Sequence, residues 1–323
     1  MGQDVASLRS ILIRNRTAIA PVIGLFGVYW LFLLIGPDSF SSGRNLETIA
    51  RQTTIVGIAA IGMTLVIISG GIDLSAGSII ALSTVVVAAT LNTGVSPFIS
   101  VLSGVVSGIL AGLVNGLIVS RLKVVPFIVT LGTLLIVRGI AKGIANEQKI
   151  DTSLTWLIDL LAALPPGARW MIFPPGVWLL LILAGLAAGF LSATPTGKHI
   201  VAVGSNEATA RVCGIRVERI KTAVYVISGG MAGLAGVMQF SRLTVGDPTV
   251  AVGLELDVIA AVVIGGGSLS GGEGSILGTI VGALIMTVIR SGCSQMGLPN
   301  WVQEIVTGSI IVLAVAVDRY RHR

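Results

Sequence analysis

The chain has 323 residues, of which 54% are hydrophobic and 11% charged, with 42 glycines and a net charge of +6. Ordinary soluble domains carry roughly 25% charged residues, so this composition excludes a soluble globular protein and indicates a polytopic membrane protein. Topology signals and anionic headgroups account for the positive charge, which therefore implies membrane lipid and no nucleic acid as a partner.

A bilayer core about 30 Å thick takes roughly 20 apolar residues per helix, and backbone facing lipid must satisfy its own hydrogen bonds. The apolar runs are continuous, whereas a membrane barrel alternates apolar and polar residues, so the expected class is all-α. In chain order, hydropathy places about ten spans, at 18–36, 48–69, 76–92, 98–119, 125–145, 173–192, 222–241, 255–267, 275–292 and 301–317, the eighth being short. The first follows a basic stretch but is longer than the usual 7–15 residues (roughly) of a signal peptide and lacks a small-residue cleavage site, so it reads as an uncleaved span.

Basic residues near span ends are retained in the cytoplasm. With the N-terminus inside, the inner segments hold Arg9, Arg14 and Arg16, then Arg121 and Lys123, then Lys198, Arg211, Arg216, Arg219 and Lys221, then Arg319, Arg321 and Arg323. This distribution predicts that both termini are cytoplasmic. Arg138, Lys142, Glu147, Glu255, Asp257 and Arg290 fall near outer span ends. Intramembrane charge marks function by default, although snorkelling to the interface is cheap at those depths. Cys213 falls in an inner loop and Cys293 near the outer face, which argues against a disulfide between them.

Two helices are expected to break at glycine-rich motifs that resemble each other, SGGIDLSAGSIIAL (69–82) and IGGGSLSGGEGSILGTIVGAL (264–284). Interrupted helices in transporters expose backbone near the translocation path. The span count puts both breaks on the same side, as parallel copies of a repeat would be. Asp73 and Glu273 each precede a new helix, where a carboxylate favours the N-terminal dipole. Gly104, Gly108, Gly112 and Gly116, and again Gly274, Gly278 and Gly282, recur every fourth residue and predict close helix approach. Asn115, Thr130 and Gln239 are uncharged polar groups inside spans. With Asp73 they form the candidate translocation path, and interhelical hydrogen bonds explain Asn115, Thr130 and Gln239 equally well.

Catalytic chemistry has no residues to carry it. The two histidines, His199 and His322, lie outside the spans, so Ser268 and Ser270 have no base, and no His, Cys and carboxylate cluster has metal-ligand spacing. Gly197-Lys198-His199 is not a phosphate loop, because the earlier glycine and the following Ser or Thr are missing. Neither a catalytic nor a metal nor a nucleotide site is expected on this chain.

The remaining polar segment is Thr194 to Lys221, an island in an otherwise lipid-compatible chain. Gly204, Ser205 and Asn206 supply a turn and an N-cap, Glu207 lies in the first turn, and Gly214 ends a helix of about two turns over 207–213. A helix that short is unstable alone in water and must dock on something.

Four stretches carry a family resemblance: GMTLVIISGGIDLSAGS (62–78), NGLIVSRLKVVPFIVTLGTLLIVRG (115–139), TGKHIVAVGSNEATARVCGIRVERIK with YVISGGMAGLAGV (196–237), and VIAAVVIGGGSLSGGEGSILGTIVGAL (258–284). In this order and spacing the chain resembles the permease subunits of monosaccharide ABC importers, the group that includes the ribose, xylose, arabinose, galactose and autoinducer-2 systems. The resemblance implies a single permease domain in the bacterial inner membrane, translocating a monosaccharide or small polyol by alternating access, as two copies or with a paralogue. It implies an extracytoplasmic sugar-binding protein and a cytoplasmic ATP-binding subunit that uses ATP and Mg. By the same resemblance, Gly204, Ser205, Asn206, Glu207, Ala208, Arg211, Gly214 and Ile215 belong to the coupling helix that meets this ATPase. The outer segment 151–170 carries no part of the resemblance. An ion-coupled secondary transporter and a passive channel are the competing classes.

Overall fold

The computed structural model describes residues 16–321, and among them the chain forms twelve α-helices. Arg9, Arg14, His322 and Arg323 lie outside the described residues. In chain order the helices are α1 Arg16–Ile35, α2 Gly43–Ile68, α3 Ala76–Asn92, α4 Pro97–Arg121, α5 Pro126–Ile144, α6 Pro175–Ala193, α7 Pro195–Ser205, α8 Glu207–Val212, α9 Val217–Leu243, α10 Leu254–Ile264, α11 Ile276–Gln295 and α12 Asn300–Arg321. Among the described residues the one departure from all-helical architecture is a two-residue antiparallel pair, β1 Ile150–Asp151 with β2 Val245–Gly246.

Each of the ten apolar segments is helical. Six helices (α2, α4, α5, α6, α9 and α11) are long and apolar enough to cross a membrane, and shorter apolar runs lie at Ala20–Ile35, Ala76–Asn92 and Asn300–Ala316. The segment at 255–267 forms the 11-residue α10, about 16 Å at ~1.5 Å per residue and so roughly half the bilayer core. Four helices, α4, α5, α6 and α7, start with proline at the first helical position, where its missing N–H costs nothing.

Helix α2 is the axis. Ser42 caps it by accepting from the Asn45 N–H at 3.3 Å, and from Thr53 to Ile68 every residue is buried. Around it pack α6, α7, α9, α10 and α11. Its interior polar groups find partners on α11: Thr53 with Thr287 at 2.6 Å and Thr64 with Thr279 at 2.9 Å. In a nonpolar surround an unpaired hydroxyl is costly, so these pairs fix the register of the two helices.

The most extensive helix pair is α4 with α9. Gly108 faces Gly229 so closely that a Cβ on either one would overlap the other's carbonyl oxygen. Gly112 meets the backbone of Tyr225, and Gly116 meets Thr222. The second stripe, Gly278 and Gly282, is covered in the same way by Gly265 and Ala261 of α10 and its end. Gly104 and Gly274 meet side chains, of Ser83 and Val87 and of Ile68, while the other members of both stripes are packed against backbone, the arrangement that favours helix association where lipid removes the hydrophobic drive.

The segment 151–170 folds over one end of this bundle. Leu157 and Leu161 are fully buried there; the Leu161 N–H donates to Ser241 Oγ at 2.9 Å, and that hydroxyl donates to the Ile158 carbonyl at 3.0 Å.

Candidate functional site: a polar cavity and a helical elbow at opposite ends of α2

The two glycine-rich breaks are real interruptions, between α2 and α3 and between α10 and α11, and they touch. The Gly272 N–H donates to the Ile68 carbonyl at 2.8 Å, and a Cβ on Gly271 would lie 3.0 Å from the Gly70 Cα. Positive φ angles of 80° at Gly70 and 81° at Gly272 are what let each chain turn in so little space. The third party at this junction is Gly204. A Cβ on it would overlap the Ile68 carbonyl oxygen and come within 2.7 Å of the Gly272 nitrogen.

Gly204 is therefore the link between both breaks and the polar island. The sequence reading put Gly204 and Ser205 in a turn; instead they form the last turn of α7, an 11-residue helix whose N-cap, Thr194, accepts from the Gly197 N–H at 3.0 Å. Proline at the first position and threonine before it are the signal that marks α7 in the sequence. Asn206 caps α8 as expected, accepting from the Thr209 N–H at 2.8 Å. Gly214, at φ 83°, ends it. The Ile215 N–H reaches the Ala210 carbonyl at 3.0 Å and the Gly214 N–H the Arg211 carbonyl at 3.1 Å, a paired closure that satisfies the last carbonyls.

The elbow of α7 and α8 is held by a small apolar cluster of Val203, Ala210 and Val217. Charged groups stiffen it on the outside. Glu207 accepts from Lys221 at 2.5 Å and from Arg211 at 3.1 Å, while Arg211 also pairs with Glu218. The hydrogen bond from Lys221 is the largest cause holding the Glu207 carboxyl below its ordinary value, and the bond to Glu218 raises Arg211. The opposite face is bare: Ala208 and Cys213 are exposed, and Val212 is 88% exposed.

Three of the four candidate path residues come together behind the first break. Asp73 is fully buried and accepts from the Ser75 N–H at 2.9 Å, the Ser75 hydroxyl at 2.5 Å and the Ser228 hydroxyl at 3.2 Å. Its first two bonds hold Ser75, the residue that precedes α3. Asn115 donates to Ser75 Oγ at 2.9 Å, and Thr130 and Tyr225 both donate to the Ile72 carbonyl at 3.3 Å.

Gln239 is elsewhere. It lies on the wall of an open cavity of about 350 Å³ at the other end of α2, with Asn45, Gln52, Arg242, Asp257, Arg290 and Ser291 among the lining residues. From Gln52 to Ile68 is about 24 Å along the helix, so the cavity and the elbow occupy opposite ends of the bundle. A second hollow of about 540 Å³ adjoins it between α10 and α12, sharing Val252, Arg290 and Gln303. Arg290 pairs with Asp257 at 2.6 Å. Nearby, Arg138 of α5 donates to the Pro248 and Val250 carbonyls at 3.0 and 2.6 Å, bracing the loop that borders the cavity. Amides and hydroxyls around charged pairs are the lining that reads a polyhydroxylated solute. Apart from Gln239, Asp257 and Arg290, the sequence did not single out these lining residues; their shared signal is that polar groups cluster at the ends of α2, α9 and α11 that face away from the island. Among the described residues no group of His, Cys, Asp and Glu is arranged to hold a metal ion.

The family model described as branched-chain amino acid transport system / permease component matches residues 45–315. The ribose import permease protein RbsC of Escherichia coli (strain K12) is 39% identical over 297 residues, covering 92% of each chain. The corresponding RbsC of Bacillus subtilis (strain 168) is 39% identical over 93% of this chain and 92% of its own, and the L-arabinose transport system permease protein AraH of Escherichia coli (strain K12) 35% identical over 93% and 90%. No solved structure matches the chain. Matched over most of its length by that model and by these relatives, the chain belongs to the branched-chain amino acid transport system / permease component family and is a multi-pass protein of the bacterial inner membrane.

Proposed function

We propose that this chain is the permease subunit of an ATP-driven importer that translocates a monosaccharide or similar small polyol by alternating access. The observation that carries the proposal is the backbone junction of Gly204 with Ile68 and Gly272, which ties the exposed elbow to both broken helices. A push on the elbow then reaches both glycine-rich breaks without passing through a flexible side chain. Tightly packed elements of this kind shift between discrete arrangements. The sugar assignment rests on relatives named as ribose and arabinose permeases, together with the amide-lined cavity.

In this reading the whole chain is one permease domain of about ten spans, with both termini and the elbow cytoplasmic and the cavity outside. The elbow, Gly204 to Ile215, docks on an ATP-binding subunit that supplies ATP and Mg chemistry, and its bare Ala208 and Val212 face is the contact. A secreted sugar-binding protein delivers to the cavity, and a second permease copy, identical or paralogous, completes the path.

The test is uptake of radiolabelled D-ribose and L-arabinose by proteoliposomes holding the permease with the ATPase and binding protein encoded beside it. Uptake that requires ATP supports the proposal. Uptake that proceeds without ATP, or follows an imposed ion gradient, overturns it in favour of a channel or a secondary transporter.

A further inference from the structure

The cavity holds more positive charge than a neutral sugar needs. Arg290 is neutralised by Asp257, but Arg242 lines the same wall with no ion-pair partner among the described residues. A second arginine, Arg51 on α2, adds a like charge within electrostatic range of it. The Nε atoms of both are shielded from solvent and make no hydrogen bond.

Among the described residues no acidic group forms an ion pair with either arginine. Glu47, one turn before Arg51, accepts from the Leu164 N–H at 3.0 Å; Asp247 holds Lys149 at 3.3 Å; and Glu255 accepts from the Gly253 N–H at 3.2 Å. Glu304 lines the adjoining hollow with Arg290, not the wall that carries Arg242. Two half-buried like charges are unfavourable in the free protein, and an incoming anion relieves the repulsion. Arginine's planar fork suits a carboxylate held by two parallel bonds. The proposed orientation sharpens the point, because unpaired arginines at outer span ends run against the positive-inside distribution and topology does not explain them.

We infer that Arg242, backed by the charge of Arg51, forms an anion subsite in the outer cavity and that the solute is a polyhydroxylated carboxylate, a sugar acid, whose hydroxyls are read by the surrounding amides. This rests on the sugar-import reading above and narrows its substrate class. Arg242, on the cavity wall, contacts the carboxylate; Arg51 reinforces the field behind it.

The test is equilibrium dialysis of the full-length permease in lipid nanodiscs, at low ionic strength and without delivery protein, against radiolabelled D-ribonate and D-ribose. Leaving out the delivery protein assigns any retained carboxylate to the solute. Ribonate retained about tenfold better than ribose is expected, a ratio equal to about 1.4 kcal/mol. The ratio should fall to near one in Arg242→Gln, partway in Arg51→Gln, and recover in part in Arg242→Lys, with size-exclusion profiles confirming that each variant is folded. Retention of ribose with ribonate at or below it overturns the inference and leaves the sugar reading intact. Retention of neither also overturns the subsite, with the sugar reading then decided by the uptake assay above, and a ribonate preference that persists in Arg242→Gln and Arg51→Gln overturns the subsite as well.

Discussion

The Gly272 N–H donates to the Ile68 carbonyl at 2.8 Å, joining the loop before α11 to the last turn of α2. Gly204 fills the space against that same carbonyl, so one oxygen atom is the meeting point of both broken helices and the elbow.

Gly204→Val is expected to be the most disruptive single change in the elbow. Its side chain would overlap main-chain atoms, which unlike a side-chain end cannot rotate away, and such overpacking costs about 1–3 kcal/mol or more. Thermal unfolding in detergent should show a lowered Tm and reconstituted vesicles a loss of uptake. Gly132→Ala, on α5 with nothing within 4 Å of the new Cβ, should leave both unchanged; equal loss in the two variants would remove any special role for Gly204.

Asp73→Ala leaves the Ser75 N–H, the Ser75 hydroxyl and the Ser228 hydroxyl without an acceptor in a site closed to solvent. Each stranded donor costs roughly 1–3 kcal/mol, so expression of folded permease should drop sharply. Ser228→Ala removes only the longest of the three bonds and should be far milder. A double-mutant cycle measured by thermal unfolding tests this, and independent effects of the two changes would contradict the described cluster.

Glu207→Gln separates stability from coupling. Its ion pairs with Lys221 and Arg211 are exposed, and exposed pairs contribute little to folding, so Tm should hold while the elbow's outer charge pattern changes and ATPase stimulation falls. The depressed carboxyl also fixes a pH window. A carboxylate held below its ordinary value of 4.5 stabilises the fold fully above that value and loses the contribution as pH falls through the lowered one. Stability of the elbow is accordingly expected to be flat from neutrality to about pH 5 and to decline only in stronger acid, which amide exchange over 204–221 would register; a transition near neutrality would contradict it.

Gln239→Leu, on the cavity wall, removes a donor and an acceptor while keeping volume. Weaker solute binding, read as a KM raised about tenfold with kcat little changed, is expected if the cavity is the outer binding station. An unaffected KM would place the solute elsewhere.

The helices and their close approaches were legible because apolar runs and a four-residue glycine spacing are one-dimensional patterns. Asn206 and Gly214 were legible for the same reason, since caps are local chemistry. What the sequence did not yield depends on contacts far apart in the chain. Gly204 reads as a turn residue next to Ser205 and Asn206, and only its abutment on Ile68 and Gly272 shows why glycine is needed inside a helix there. Asp73, Asn115, Thr130 and Gln239 share a polarity that suggests a single path, yet three converge behind the first break and the fourth faces a cavity at the other end of α2. Arg51 and Arg242 lie 191 positions apart, and neither has a local signal that names the other.

The measurement that bears most directly on the central claim is ATP hydrolysis and solute uptake recorded together in proteoliposomes of the complete transporter carrying Ala210→Pro, a change that breaks α8 at its buried contact. Uptake should fall to background with the permease still inserted, while hydrolysis loses its dependence on solute. Uptake and solute-stimulated hydrolysis that both survive the break would show that force enters the permease somewhere other than the elbow.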